Sequence, residues 1–292
     1  MLPDLSAYHH PVSRFSELVD ENLNAYCLST EQIDSYQQNG YLSGIPILTP
    51  SQLQQLKAEL DQLMDPNYQG NHLFYEFNSN ESIDPDRVLF HALGAWRIAP
   101  AFHDILWHPA FLLPASQLLP GAVRFWHDQL FCKPAQHGGV VAWHQDYSYW
   151  TRTRPMAHLT CWIALDEAKI DNGCVHYIPG SHQWDLLPIT GLAGDLQAIE
   201  EVLTPEQWEA FNHPQAVELK AGEATFHHPL MVHGSFENLT HRPRRATVIN
   251  VFRDGVTSGQ AEPMLHGTDA IPMGQPMDGQ FFHFCMNPNS RP

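Results

Sequence analysis

The sequence predicts a mainly β fold with flanking helices, a sandwich or barrel, and three observations predict it. Seven short runs rich in β-branched and aromatic residues occupy 123–133, 140–144, 158–165, 175–178, 216–219, 224–227 and 246–252. Turn signals separate them: His137-Gly138-Gly139, Asp171-Asn172-Gly173, Pro179-Gly180-Ser181 and Ala221-Gly222. The stretch before them, 29–120, reads mainly as helix, so strands and helices are segregated along the chain rather than alternating. No internal repeat or low-complexity linker breaks the chain, and the simplest account is a single domain over 1–292. It would comprise an N-terminal arm (1–28), the helical part (29–120), a β core (121–254) and an irregular C-terminal tail (255–292).

Composition narrows the function. With 43% hydrophobic and 16% charged residues the chain is of the folded class. Fifteen Lys and Arg stand against 32 Asp and Glu, a net charge of −17, so a basic footprint for nucleic acid is absent. Five cysteines are scattered with no C-x-x-C pair, which favours a reducing, cytoplasmic setting over a disulfide framework. Residues 1–28 show no signal-peptide pattern, and no run reaches the roughly 20 apolar residues of a membrane span.

The elements follow in order. Ser29 with Gln32 makes a capping box and Gly40 a stop, giving a helix over 29–38. A strand-like run covers 41–48. Thr49 then caps a second helix, with Pro50 at its first position, Gln52 closing the box, and Leu53, Leu56, Leu60 and Leu63 on one face. Residues 65–90 are polar and read as loop. Residues 91–117 read as helix interrupted at Pro100, Pro109 and Pro114. Thr204-Pro205-Glu206-Gln207 opens a helical insertion among the later strands.

The chemistry centres on Val141-Ala142-Trp143-His144-Gln145-Asp146. On an extended strand, residues two apart share a face, so His144 and Asp146 can reach one metal ion together. A third ligand is sought downstream, where His227-His228-Pro229-Leu230-Met231-Val232-His233-Gly234-Ser235 precedes His241-Arg242-Pro243-Arg244-Arg245. An imidazole followed about ten residues later by an arginine on the next strand can put both in one pocket. The planar guanidinium suits a carboxylate, which it binds in bidentate fashion. Read alone, His144 and Asp146 could be a surface pair, His233 a core histidine, and Trp162 a core aromatic. Arg244 competes with Arg242 and Arg245, although Arg245 should face the other way along a strand. His182, His227 and His228 read first as packing or loop residues, with His182 and His227 as possible cavity liners.

Taken together, His144-Gln145-Asp146, Asp171-Asn172-Gly173-Cys174, Pro179-Gly180-Ser181-His182, His233-Gly234-Ser235 and Asn238 to Arg244 resemble, in order and spacing, the phytanoyl-CoA dioxygenase family of iron(II)/2-oxoglutarate oxygenases. The resemblance spans about 123–252. It implies a double-stranded β-helix, the cupin-like jelly roll, with flanking helices. It implies an iron(II) facial triad of His144, Asp146 and His233, with open positions for 2-oxoglutarate and O2. It matches Arg244 and Ser235 to the far carboxylate of 2-oxoglutarate, and Trp162 and Gln129 to the wall around it. An upstream basic contact to the near carboxylate has no convincing counterpart, His91 being a poor one. The implied reaction hydroxylates a C–H bond of a small molecule with release of succinate and CO2. Desaturation, epoxidation or rearrangement is the alternative outcome, and a non-catalytic metabolite-binding jelly roll the alternative class. The carboxylate of Asp146 argues against halogenation, which needs a small residue there.

Substrate choice is sought in the loops 65–90, 147–156, 183–203 and 255–285, which carry no decodable motif. Tyr147, Tyr149, Trp150, Arg152 and Arg154 directly follow the metal pair and are the candidate lip. The two arginines would favour an anionic substrate, whereas a loop that merely covers the core is the plain alternative. The charge of −17 makes a coenzyme A ester less attractive.

Overall fold

Side-chain caps start the helices. In the computed structural model, which describes residues 3–16 and 22–287, three of the α-helices open with a complete capping box. Ser29 and Gln32 open α1 (Thr30–Asn39), and Thr49 and Gln52 open α2 (Pro50–Leu63). The third, Thr204 with Gln207, opens the short helix Pro205–Phe211. Each hydroxyl satisfies a backbone N–H that has no partner within its helix. Gly40 ends α1 at φ 82°, a left-handed turn that a Cβ would strain. Leu56, Leu60 and Leu63 of α2 are wholly buried, each stabilising the fold by roughly 1.5–3 kcal/mol.

Residues 91–117 depart from expectation. His91 lies in a strand, Phe90–Leu93, and helix is confined to α3 (Pro100–Asp104) and α4 (Pro109–Leu118), joined by tighter 3-10 turns. Pro100 and Pro109 start helices instead of breaking them, because the first helical position needs no N–H donor. Pro114 sits inside α4 and does not end it, since Phe111, Leu112, Ala115 and Leu118 hold the helix in the core. The final helix, Pro205–Phe211, is α5. The predicted loop 65–90 contains a short strand, Glu76–Asn78, and the predicted irregular tail contains two, Thr257–Ser258 and Phe284–Met286. Of the predicted arm and tail, residues 1–2, 17–21 and 288–292 lie outside the described residues.

In chain order the strands are β1 (Tyr41–Pro46), β2 (Glu76–Asn78), β3 (Phe90–Leu93), β4 (Val123–Lys133), β5 (Val141–His144), β6 (Thr153–Arg154) and β7 (His158–Ala164). They continue with β8 (Val175–Tyr177), β9 (Gln215–Val217), β10 (Glu223–His227), β11 (His233–Ser235), β12 (Arg244–Arg253), β13 (Thr257–Ser258) and β14 (Phe284–Met286). The larger sheet runs β1-β10-β7-β12-β4-β3-β2, with β14 beside β4; the smaller runs β5-β11-β8-β9. All pairings in both are antiparallel. This is the jelly-roll class the sequence led to.

Pleating divides the central strands between two tasks. Arg244 and Val248 of β12, Thr160 and Trp162 of β7, and Gln129 of β4 face a cavity between the sheets. Their neighbours Ile249, Cys161, Ile163, Leu130 and Cys132 face the other way, into the core shared with the helices. On that side Phe111 of α4 stacks on Phe226 of β10, ring centroids 6.4 Å apart. With helices on one face and the second sheet on the other, β7 is buried along its whole length and β12 from Ala246 to Phe252. That is why their sequence reads as nearly continuous hydrophobic runs.

Candidate metal centre

The cavity between the sheets has a volume of about 310 Å³, within the range of small-molecule sites. At its inner end two histidines meet across a strand pair. His144 ends β5, His233 begins β11, and the two are direct partners in the antiparallel register. Facing partners bring Cβ atoms to roughly 5 Å, and here the ring centroids are 4.2 Å apart. Gly234 permits the close approach. A Cβ there would stand 3.0 Å from the Val141 carbonyl oxygen and 3.1 Å from the Trp143 ring.

Backbone carbonyls fix both imidazoles. His144 Nδ1 lies 2.8 Å from the Ala142 oxygen and His233 Nδ1 2.9 Å from the Met231 oxygen. A carbonyl only accepts, so the proton sits on Nδ1 in each ring and Nε2 presents its lone pair to the cavity. Asp146 completes the group. Its Oδ1 lies 3.4 Å from Nε2 of His144 and 3.7 Å from Nε2 of His233. Its other oxygen, Oδ2, accepts from Thr160 Oγ1 at 2.6 Å and from His227 Nε2 at 3.0 Å. Burial works to raise the Asp146 carboxyl, but the His233 imidazole, with His144 and His227, holds it well below the usual carboxylate range. Burial lowers His233 in turn and keeps it neutral. Two neutral Nε2 atoms and one carboxylate oxygen, all within 4.8 Å of one another, form a donor set for a divalent metal. Two histidines and a carboxylate on one side leave the other positions open, the arrangement non-haem iron(II) oxygenases use.

The strand expected to carry both His144 and Asp146 stops at His144. Gln145 remains extended (φ −108°, ψ 133°), and Asp146 then opens a 3-10 turn, Asp146–Tyr149. That one extended residue preserves the shared face. The Gln145 side chain points away, donating to the Leu230 carbonyl at 2.9 Å and accepting from the Leu187 N–H at 2.7 Å.

Arg244, Ser235, Trp162 and Gln129 all line the cavity. Arg244 is 1% exposed, and burial lowers its pKa to about 10, which still leaves it charged at neutral pH. Its guanidinium lies 5.5 Å over the Trp162 ring, donates one 3.3 Å hydrogen bond to the Phe131 carbonyl, and leaves Nε without a partner. A buried cation so poorly satisfied fits an anionic ligand group. Arg245 faces away and pairs with Asp166 and Asp61, and the half-exposed Arg242 pairs with Glu167.

Sequence reasoning missed Lys133 and Glu81 here and gave His227 only as a possible cavity liner. Lys133 is wholly buried behind Ser235, donating to its Oγ at 2.7 Å. Burial, and then Arg244 alongside, hold its ammonium well below its ordinary range. The signal was a lysine directly after the apolar run Leu130-Phe131-Cys132. His227, read chiefly as packing, binds Asp146 from β10 through Nε2, while its Nδ1 takes the Tyr177 hydroxyl at 2.9 Å. Glu81, in the predicted loop, pairs with His91, which also bonds Gln129 at 3.1 Å on the cavity wall. His182 turns away and meets the Gln37 carbonyl.

The candidate lip divides. Tyr149, Trp150 and Arg152 line the cavity; Tyr147 and Arg154 do not. Residues three apart eclipse one another in a 3-10 turn, so Tyr149 shares the side of Asp146. Tyr147 instead turns back and donates to the Thr153 carbonyl at 2.7 Å. Arg154 is exposed in β6, paired with Thr257 of β13.

Among known proteins, the family described as "Phytanoyl-CoA dioxygenase (PhyH)" matches residues 36–246. A phytanoyl-CoA dioxygenase of Arabidopsis thaliana is 25% identical over 256 residues, covering 77% of this chain and 88% of the relative. An L-proline trans-4-hydroxylase of Streptomyces griseoviridis is 26% identical over 203 residues, covering 62% and 75%. The crystal structure of a non-heme alpha-ketoglutarate-dependent carbocyclase from nogalamycin biosynthesis superposes with a TM-score of 0.70 at 23% identity, covering 88% of this chain and 96% of that one.

Proposed function

The chain belongs to the phytanoyl-CoA dioxygenase family of iron(II)- and 2-oxoglutarate-dependent oxygenases, and from that premise we propose that it hydroxylates a C–H bond of a small molecule. The observation that carries the reading is the convergence of His144, Asp146 and His233 at one end of a cavity that also holds the unsatisfied Arg244. Bound iron(II), with 2-oxoglutarate and O2, supplies oxidation of the substrate and releases succinate and CO2.

The chain's own residues bind and orient. His144 and His233 offer Nε2 and Asp146 offers Oδ1. Thr160 and His227 occupy Oδ2 and so fix which oxygen faces the metal. Arg244 takes the far carboxylate of 2-oxoglutarate. Ser235, its hydroxyl lone pair held by Lys133, turns its own proton toward the same group. Trp162 and Gln129 wall the cosubstrate in. The carboxylate at position 146 disfavours halogenation, because it occupies the position a halide would need, and the hydroxylase among the relatives supports hydroxylation. A cavity of about 310 Å³ suits a small molecule beside 2-oxoglutarate better than a coenzyme A ester. Five free cysteines support a cytoplasmic setting, and among the described residues no helix is long and apolar enough to cross a membrane.

Oxygen uptake and succinate release, with iron(II) and 2-oxoglutarate supplied, test the reading. Both are expected in the wild type. Their absence, with 2-oxoglutarate failing to bind the iron-loaded protein, sinks it.

A further inference from the structure

Two opposite charges lie at the cavity without touching. Arg152 lines it and is partly buried; its Nε is shielded from solvent without a hydrogen-bond partner. Among the described residues no carboxylate comes within ion-pair distance of it; its guanidinium instead lies 5.9 Å over the Trp126 ring. Glu76, on the edge strand β2, lines the same cavity, is near enough for its charge to act on Arg152, and makes no ion pair among the described residues. Glu81, the third charged group on this side, is already held by His91. Tyr149, half-buried in the turn that Asp146 opens, leaves its hydroxyl shielded from solvent and without a hydrogen-bond partner.

The backbone fixes Arg152 in place. Its carbonyl accepts the Gly259 N–H at 2.7 Å, and a Cβ on Gly259 would stand 2.9 Å from that oxygen, so the approach needs glycine. The guanidinium is therefore presented from an anchored segment, with its shielded Nε open to a ligand group.

We propose that the substrate is a small zwitterion, whose carboxylate is read by Arg152 and whose cationic amino group is read by Glu76. A guanidinium left unsatisfied beside a low-dielectric wall gains most from a carboxylate it can grip in bidentate fashion. The neighbouring Glu76 carboxylate opposes a second negative charge on the ligand and rewards a positive one. The Tyr149 hydroxyl can donate to the same ligand carboxylate. This deepens the hydroxylase reading and rests on it, since Arg244 is already assigned to 2-oxoglutarate.

The test is calorimetric titration of the full chain, loaded anaerobically with iron(II), with and without 2-oxoglutarate. The probes are the free α-amino acids and their N-methylated forms, each alongside its deaminated acid and its decarboxylated amine, with coenzyme A as the polyanion. At least one zwitterion should bind ten-fold or more tightly than both of its singly charged counterparts, and coenzyme A should not compete. Arg152→Met should erase the preference over the amine and Glu76→Gln the preference over the acid, with Arg152→Lys restoring part of the first. Thermal melts confirm that each variant folds, and the wild-type panel stands without them. If no zwitterion exceeds its singly charged counterparts, or coenzyme A binds ahead of them, the proposal is overturned. Binding of 2-oxoglutarate in that same result leaves the hydroxylase reading standing, whereas its failure to bind wild type removes that reading separately.

Discussion

The His227 imidazole donates through Nε2 to Oδ2 of Asp146 at 3.0 Å. It thereby leaves Oδ1 as the oxygen turned to His144 and His233. A partner of this kind orients the ligand and tunes its basicity. His227→Ala should weaken iron(II) binding by roughly 10–100-fold, with the fold retained. A competition titration against a metal indicator reads this, and an unchanged affinity would show that the contact has no part in the centre.

Asp146→Ala should abolish iron-dependent decarboxylation of 2-oxoglutarate, because the donor set falls to two imidazoles. Succinate formation by the purified variant is the measurement, and normal turnover would remove Asp146 from the triad.

Arg244→Ala should weaken 2-oxoglutarate far more than iron. Losing one partner of a desolvated charge pair costs roughly 2–5 kcal/mol, about 30-fold or more in Kd. Equal losses for metal and cosubstrate would point to general damage to the cavity instead.

Lys133→Met should separate binding from stability. The lysine is a fully buried amine without a carboxylate partner among the described residues, so an apolar chain of similar length should fold at least as well. Ser235, released from Nζ, should hold 2-oxoglutarate less well. One hydrogen bond of about 0.5–1.5 kcal/mol corresponds to a KM rise of roughly 2–10-fold. Steady-state kinetics beside a thermal melt decide it, and a lower Tm with unchanged KM would make Lys133 purely structural.

Acid should destabilise the fold through its buried imidazoles. Burial lowers His108 and His283 to about 4 and His158 to about 3, from an ordinary 6.5. Because the folded values are the lower ones, the unfolded chain takes up protons first as pH falls below 6.5. The stability these groups contribute is present above that pH and is lost as pH falls toward 3–4. Each should cost about 1 kcal/mol by pH 5.5. Urea unfolding at pH 7.5 and 5.5 measures the difference, and a flat profile would contradict it.

The sheet-rich class, the capped helices and the shared side of His144 and Asp146 were legible in the sequence, because each rests on local rules, whereas the jelly roll and the choice of His233 as third ligand came from the family resemblance. A hydroxyl three residues before a glutamine caps a helix wherever it occurs, and an extended dipeptide step puts His144 and Asp146 on one side. The 91–117 region misled because a proline read as a breaker is equally a helix starter, and only packing chooses between them. Tertiary structure alone decided which residues meet across strands. Register set His233 opposite His144, and β10 brought His227 under Asp146. It also buried Lys133 behind Ser235 and turned Tyr147 and Arg154 away while leaving Arg152 and Glu76 at the cavity. Contacts between residues 81 or 102 positions apart in the chain, as for Asp146 with His227 and Lys133 with Ser235, are fixed by strand pairing and close packing, and no local pattern records them.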